Sequence, residues 1–104
     1  MLLFKKKFLA AIRSGEKTQT IRLWKHRRMR AGQRSYIPGV GYIQVTMVAE
    51  VDLEQLTDAD ARPDGFPTAD ELRAEIARLY QSQLTAGYRA YKVVFQVAAE
   101  TRPD

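Results

Sequence analysis

Apolar residues recur at helical spacing in two parts of the chain. In the first part, polar and basic residues separate the apolar positions Phe4, Phe8, Leu9 and Ile12. This spacing predicts a short amphipathic helix, and Ser14-Gly15 predicts its end, because glycine readily takes the left-handed conformation that closes helices. The second and clearer pattern runs from about residue 69 to 83, with one face formed by Leu72, Ile76, Leu79 and Tyr80.

Elsewhere the chain is rich in β-branched and aromatic residues, and apolar positions tend to alternate with polar ones, as in strands. The predicted strands cover residues 17–24, 35–37, about 42–51 with a phase change near Val48, and about 88–99. Residues 53–61 predict a short helical turn. Strands interleaved irregularly with two main helices indicate an α+β fold with a mainly antiparallel, barrel-like sheet. No linker or repeat interrupts residues 1–104, so we expect a single domain.

Composition narrows the class of protein. No stretch approaches the roughly 20 apolar residues of a membrane span, and the order of apolar then basic residues at the N-terminus is opposite to that of a secretory signal. We therefore expect a cytoplasmic protein without a membrane partner. The absence of cysteine excludes thiolate metal sites and cysteine nucleophiles, and the single histidine, His26, argues against a His-rich metal site or a Ser-His-Asp triad.

The net charge of +5 hides a strong asymmetry along the chain. Residues 1–34 hold eleven of the seventeen Lys and Arg residues and one acid, whereas residues 35–104 hold six bases and eleven acids. Such a split indicates an anionic partner for the first third, such as nucleic acid or a nucleotide. The alternative is a basic face that only solubilises the protein or pairs with the acidic half.

The densest polar chemistry lies in residues 15–22, Gly-Glu-Lys-Thr-Gln-Thr-Ile-Arg. In an extended strand Thr18, Thr20 and Arg22 point to one face. Lys17 joins that face only if it lies in a turn before the strand, and Gly15 makes such a turn accessible. The alternative is a half-exposed strand whose polar face meets water, and the spacing alone does not choose between the two.

The G-x-K-x-x-T-x-R arrangement of residues 15–22, placed after a short helix, resembles the signature of the ASCH domain, a PUA-like small β-barrel associated with RNA. Further similarities follow in the expected order and extend over about residues 4–97: the turn at 31–33, the long strand ending near 53–56, the segment 64–72, Tyr80 and the strand at 91–95. The resemblance implies a PUA-like small, mainly antiparallel β-barrel flanked by two main helices.

Compact ASCH proteins of this length include bacterial amidohydrolases that remove the acetyl group from N(4)-acetylcytidine. The resemblance therefore implies metal-independent hydrolysis of the exocyclic amide of an N(4)-acylated cytidine or cytosine, giving cytidine and a carboxylic acid. The implied substrate is a small acylated pyrimidine nucleoside, and no cofactor is implied. The catalytic roles fall on Lys17, Thr20 and Glu71. The candidates for substrate binding are Arg22, Gly15 and Trp24.

Amide hydrolysis needs a nucleophile, a base and a group that stabilises the oxyanion. Thr20, Lys17 and Arg22 can supply one each. Lys17 can act as a base only if burial or a cationic neighbour lowers its pKa; otherwise Glu71 is the natural base. Glu71 also has the capping-box spacing from Thr68, and this role alone can explain its presence.

Two other functions stay open within the same resemblance. One is a non-catalytic RNA-binding ASCH module, in which the basic loop contacts phosphates through Arg27, Arg28 and Arg30. The other is a ribonuclease, an activity reported for some ASCH proteins.

Overall fold

A four-stranded antiparallel sheet forms the centre of the computed structural model, which describes residues 1–98. The strands are β1 (Gln19–Trp24), β2 (Arg34–Ile37), β3 (Gly41–Val51) and β4 (Arg89–Val97). Their order in the sheet is β1-β4-β3-β2, and each neighbouring pair is antiparallel. The sheet curls into a half-barrel, which confirms the predicted α+β fold. Residue 99, the predicted end of the last strand, lies outside the described residues.

The α-helices of the described chain are α1 (Leu9–Ser14), α2 (Asp58–Ala61) and α3 (Ala69–Thr85). The two predicted main helices correspond to α1 and α3, and α2 is one additional turn. As predicted, α1 ends at Gly15, which has a φ of 85°. It begins later than the apolar spacing predicts, because Lys5 is extended and only the 3-10 turn Lys6–Phe8 precedes the helix.

The first residues of the chain pack on the sheet instead of extending α1. The Leu2 amide donates to the Tyr36 carbonyl oxygen at 3.0 Å, and the Leu2 side chain is buried. The Phe4 ring lies against Phe95 of β4, with 5.9 Å between the ring centroids. This extended segment, residues 1–5, therefore lies beside the strands and forms one wall of the site described below.

Strand β3 contains the predicted irregularity. Its register with β4 shifts between Val45 and Met47. Val45 and Val48 are buried, whereas Met47 between them is exposed, so the phase of burial changes at this point. A bulge of this kind bends a strand and increases its twist, which favours the curl of the sheet.

Two apolar clusters fill the interior. One cluster includes Ile12, Ile43 and Val93, and the other lies between β1 and α3 and includes Ile21 and Leu72. Although β1 is an edge strand, most of its side chains are buried, from both faces. This burial contradicts the alternative interpretation, in which β1 is half-exposed and its polar face meets water. Within residues 1–98, no helix is long and apolar enough to cross a membrane.

Candidate active site

A cavity of about 230 Å³ opens beside the edge strand β1, between the extended segment and α3. Its apolar wall consists of Leu3, Phe4, Phe8, Ile21, Phe66, Leu72, Ile76, Leu79 and Tyr80. Its polar residues are Lys5, Lys17, Thr20, Arg22, Asp64 and Glu75. A mostly apolar wall with a few polar groups is typical of small-molecule sites. The cavity therefore brings together three residues of the G-x-K-x-x-T-x-R motif.

Lys17 reaches this cavity from the turn between α1 and β1. Its backbone amide donates to the Ala11 carbonyl oxygen at 3.0 Å, so Lys17 lies in a turn before the regular strand. This is the position from which the side chain can join Thr20 and Arg22. The Lys17 side chain is only 3% exposed. Its Nζ donates to Asp64 Oδ1 at 2.8 Å and also to the Asp64 main-chain oxygen.

The surroundings of Lys17 lower its pKa. Burial lowers the pKa of Lys17 from its ordinary value of 10.5, because the charged ammonium loses its hydration. The carboxylate of Asp64 acts in the opposite direction, and the charge of Arg22 lowers the pKa further. The net direction is downward. This is the condition under which a lysine can act as a base.

Asp64 is a site residue that the analysis of single motifs missed. It ends the 3-10 turn Arg62–Asp64 and is buried. While Oδ1 accepts from Lys17, Oδ2 accepts from Gln19 Nε2 at 3.2 Å. The turn is also tied to the start of β1, because the Thr18 amide donates to the Pro63 oxygen at 2.8 Å. The pairing joins residues 47 positions apart, and no local spacing signals it.

Thr20 and Arg22 form the second polar pair of the cavity. The Thr20 side chain is buried, and its Oγ1 accepts from Arg22 Nε at 3.1 Å. Arg22 Nη2 donates to the Leu3 carbonyl oxygen at 2.7 Å, and the guanidinium lies 4.7 Å from the centre of the Phe4 ring. Burial lowers the pKa of Arg22, but a guanidinium stays charged in proteins. A fixed positive charge beside a hydroxyl oxygen stabilises the developing alkoxide.

The structure does not bring Glu71 to this cavity. Glu71 is exposed in the first turn of α3, and its amide donates to Thr68 Oγ1 at 3.2 Å, as in a helix cap. The cavity is lined instead by Glu75, one turn later. With 3.6 residues per turn, position 75 lies closer than position 71 to the centre of the buried face that contains Leu72 and Ile76.

The carboxylate of Glu75 lies between two cations, Arg78 and Lys7. Its side chain is 13% exposed, and Oε1 accepts from Arg78 Nη2 at 2.6 Å. This hydrogen bond holds the pKa of Glu75 below its ordinary value of 4.5. Lys7 Nζ lies 3.5 Å from the buried Oε2, which accepts no hydrogen bond from any described residue. Glu75 is therefore an ion-paired carboxylate at the wall of the cavity.

The other predicted site residues lie elsewhere. Gly15 closes α1. The Trp24 ring packs on Tyr91, with 5.4 Å between the centroids, and against the apolar cluster that includes Ile43 and Val93. Neither lines the cavity.

The exposed loop between β1 and β2 forms a separate shallow surface that contains Arg27, Arg28 and Arg30. In the part of the chain that the structure describes, no cluster of three or more His, Cys, Asp or Glu side chains is placed to hold a metal ion.

Comparisons with solved structures place this geometry in a known fold. The ASCH domain from Lactobacillus crispatus JV V101 matches with a TM-score of 0.67 and 16% identity, over 86% of this chain and 69% of that one. A protein of Enterococcus faecalis V583, described with the family model DUF984, matches with a TM-score of 0.70 and 20% identity, over 88% and 70%. The hypothetical protein PH0355 matches with a TM-score of 0.77 and 14% identity, over 92% and 95%.

These likenesses confirm the PUA-like fold and support the resemblance to the ASCH family at the level of the fold. The chain has the fold of an ASCH domain. No family model and no curated protein matches the sequence itself.

Proposed function

We propose that this protein is an amidohydrolase that cleaves the exocyclic amide of an N(4)-acylated cytidine or cytosine, such as N(4)-acetylcytidine. The observation that supports this reaction is the convergence of Lys17, Thr20 and Arg22 with the carboxylate of Glu75 on one small cavity. A hydroxyl, an amine, a guanidinium and a carboxylate are sufficient for amide hydrolysis. The choice of an acylated pyrimidine follows from the ASCH resemblance, because the relevant amidohydrolases share the Lys-x-x-Thr spacing.

In the first step, Thr20 Oγ1 attacks the carbonyl carbon of the amide and its proton passes to the neutral amine of Lys17. The carbonyl oxygen becomes an oxyanion, which the charge of Arg22 stabilises. The C–N bond then breaks, and the Lys17 ammonium returns the proton to the departing exocyclic nitrogen. Water hydrolyses the acyl-threonine in the same way, which releases the carboxylic acid and restores both side chains.

Glu75 takes the place that the sequence assigned to Glu71. Its side chain lines the cavity, and its lowered pKa keeps it ionised at neutral pH. If Lys17 stays protonated in the complex, a carboxylate at the cavity must accept the threonine proton. We assign this role to Glu75, because Asp64 already accepts hydrogen bonds from Lys17 and Gln19. The pH profile described in the Discussion distinguishes these two versions.

The direct test is the release of cytidine from a panel of N(4)-acylated cytidines, followed by chromatography. We expect activity in the presence of a chelator, and we expect Thr20→Val to lower kcat/KM by about three orders of magnitude or more. The matched control is Thr46→Val, because Thr46 is exposed on β3 and its hydroxyl donates to the Val94 oxygen at 3.2 Å. An inactive wild-type protein, or a fully active Thr20→Val, would contradict the proposal.

A second candidate function, RNA binding, is favoured by a different surface. The β1–β2 loop exposes three arginines, and two tyrosines on adjoining strands, Tyr36 and Tyr42, are 42% and 44% exposed. Arginines with exposed aromatic rings suit single-stranded nucleic acid. We expect short RNAs to bind in a salt-dependent way, and we expect binding to weaken when the loop arginines are replaced together: Arg27→Ala, Arg28→Ala and Arg30→Ala. Retention that does not change with salt would exclude this function.

A further inference from the structure

The charges that line the cavity do not all have partners within the protein. Asp64 Oδ1 lies 2.8 Å from Lys17 Nζ, and the carboxylate of Glu75 is engaged by Arg78 at 2.6 Å and by Lys7 at 3.5 Å. No carboxylate of residues 1–98 forms an ion pair with Arg22. The apolar walls thus surround a guanidinium with no counter-charge in ion-pair contact. Arg22 is half-buried, and a partly desolvated charge without an ion-pair partner favours the entry of an anionic ligand.

The guanidinium of Arg22 is also held in a fixed orientation. Nε donates to Thr20 Oγ1, Nη2 donates to the Leu3 oxygen, and the Phe4 ring covers one face at 4.7 Å. Nη1 has no hydrogen bond to any described residue, and the side chain lines the cavity. A guanidinium that is already immobilised loses little conformational freedom when it binds a ligand.

We infer that Arg22 is the binding site for a small monocarboxylate with an alkyl group. The planar guanidinium matches the geometry of a carboxylate, and Ile21, Leu72 and Ile76 line the same cavity, where they can contact the alkyl chain. The binding itself follows from this geometry. Its role rests on the proposed function: the carboxylic acid released by hydrolysis remains at Arg22 as a bound product and competes with the next substrate.

The wild-type protein provides the first test. Methyl resonances of its isoleucines are followed by NMR during titration with sodium acetate, propionate and butyrate, with sodium chloride and sodium phosphate at matched ionic strength as references. We expect saturable shifts at Ile21 and Ile76, with a dissociation constant of about 1 to 10 mM that falls as the chain lengthens. Ile37 and Ile43, which belong to the other apolar cluster and do not line the cavity, serve as internal controls and should not shift.

The second test replaces the charge. Arg22→Gln should weaken carboxylate binding at least about tenfold, because it removes a charge-assisted hydrogen bond. Arg13→Gln is the matched control, since Arg13 is exposed and donates to the Gly39 oxygen outside this cavity. The inference is overturned if the isoleucine shifts do not saturate, if chloride or phosphate reproduces them, or if a folded Arg22→Gln binds as well as the wild type.

The experiments can contradict the amidohydrolase function and the carboxylate site at Arg22 independently of each other. Binding of carboxylates without hydrolysis of any acylated cytidine contradicts the proposed function and leaves the binding site in place. Hydrolysis without saturable carboxylate binding in the wild-type titration overturns the inference and leaves the proposed function in place. When both hold, butyrate should inhibit hydrolysis competitively, at concentrations near its dissociation constant from NMR.

Discussion

Replacing Asp64 with asparagine keeps the shape of the side chain and removes its charge. The Lys17 and Asp64 side chains are 3% and 5% exposed, and Nζ lies 2.8 Å from Oδ1. In Asp64→Asn, the lysine keeps a carbonyl oxygen as acceptor. Gln19 Nε2, which donates to Oδ2 in the wild type, faces an amide nitrogen instead and keeps only its hydrogen bond to the Asp60 main-chain oxygen at 3.0 Å. The substitution therefore leaves a buried ammonium without a counter-charge and removes one of the two hydrogen bonds that Gln19 Nε2 donates.

The loss of stability in Asp64→Asn can be estimated from the distance between Lys17 and Asp64. With an effective dielectric constant of about 20, unit charges at the 2.8 Å separation of this pair attract by about 6 kcal/mol. Part of that attraction offsets the cost of burying both groups, and the removal of one partner from a buried pair usually costs about 3–5 kcal/mol. We expect Asp64→Asn to lower the free energy of unfolding at pH 7 by about 3–5 kcal/mol. The double variant Lys17→Met/Asp64→Leu, which removes both charges, should cost less than either single change.

Urea unfolding followed by the fluorescence of Trp24, the one tryptophan of the chain, measures these differences. Asp64 raises the pKa of Lys17 in the wild type, so its removal lowers that pKa further. As the pH rises, the lysine of the variant loses its proton first and its burial becomes less unfavourable. The stability difference from the wild type should therefore narrow. A loss below about 1 kcal/mol, or a difference that widens with pH, would refute this account of the ion pair.

Two further predictions concern the catalytic groups. Glu75→Gln should lower kcat/KM for N(4)-acetylcytidine by at least about tenfold in steady-state assays, whereas Glu71→Gln, at the exposed helix cap, should leave it within about twofold. The wild-type rate should rise with pH through the lowered pKa of Lys17, because the neutral amine is the active form. A rate limited by chemistry that is already flat from about pH 5 to 9 would instead assign the base to Glu75.

Local patterns predicted the strands and α3 because buried side chains recur about every second residue in the strands and about every 3.6 residues in the helix. The start of α1 was predicted wrongly for a physical reason. Phe4 has helical spacing from Phe8, but its ring packs on Phe95 of β4 and under the guanidinium of Arg22. These contacts are tertiary, and they form while residues 1–5 lie outside any helix. Helical spacing of apolar residues cannot distinguish a helix face from two separate contacts with the sheet.

Some residues of the candidate site could also be predicted from local sequence, and others could not. Lys17, Thr20 and Arg22 are close in sequence, so a strand and the turn before it are enough to bring them together, and the motif revealed them. The partners of these residues come from distant segments. A buried lysine requires a carboxylate, which identifies the type of partner, but only the fold identifies Asp64. For the glutamate, the capping spacing at Glu71 was a correct local signal that identified a helix terminus and not the cavity.

The basic first third of the chain divides into two chemically different parts. Of its eleven cations, Lys17 is buried and Arg22 half-buried at the cavity, and the other nine are exposed. Salt screens exposed charges strongly and buried charges weakly. If the two parts act separately, hydrolysis of an uncharged nucleoside should change by less than about twofold between 50 and 300 mM potassium chloride, whereas RNA binding through the loop should weaken by at least about tenfold. Parallel loss of both activities with salt would mean that the exposed cations also hold the substrate, and that the cavity is one end of a larger anionic binding surface.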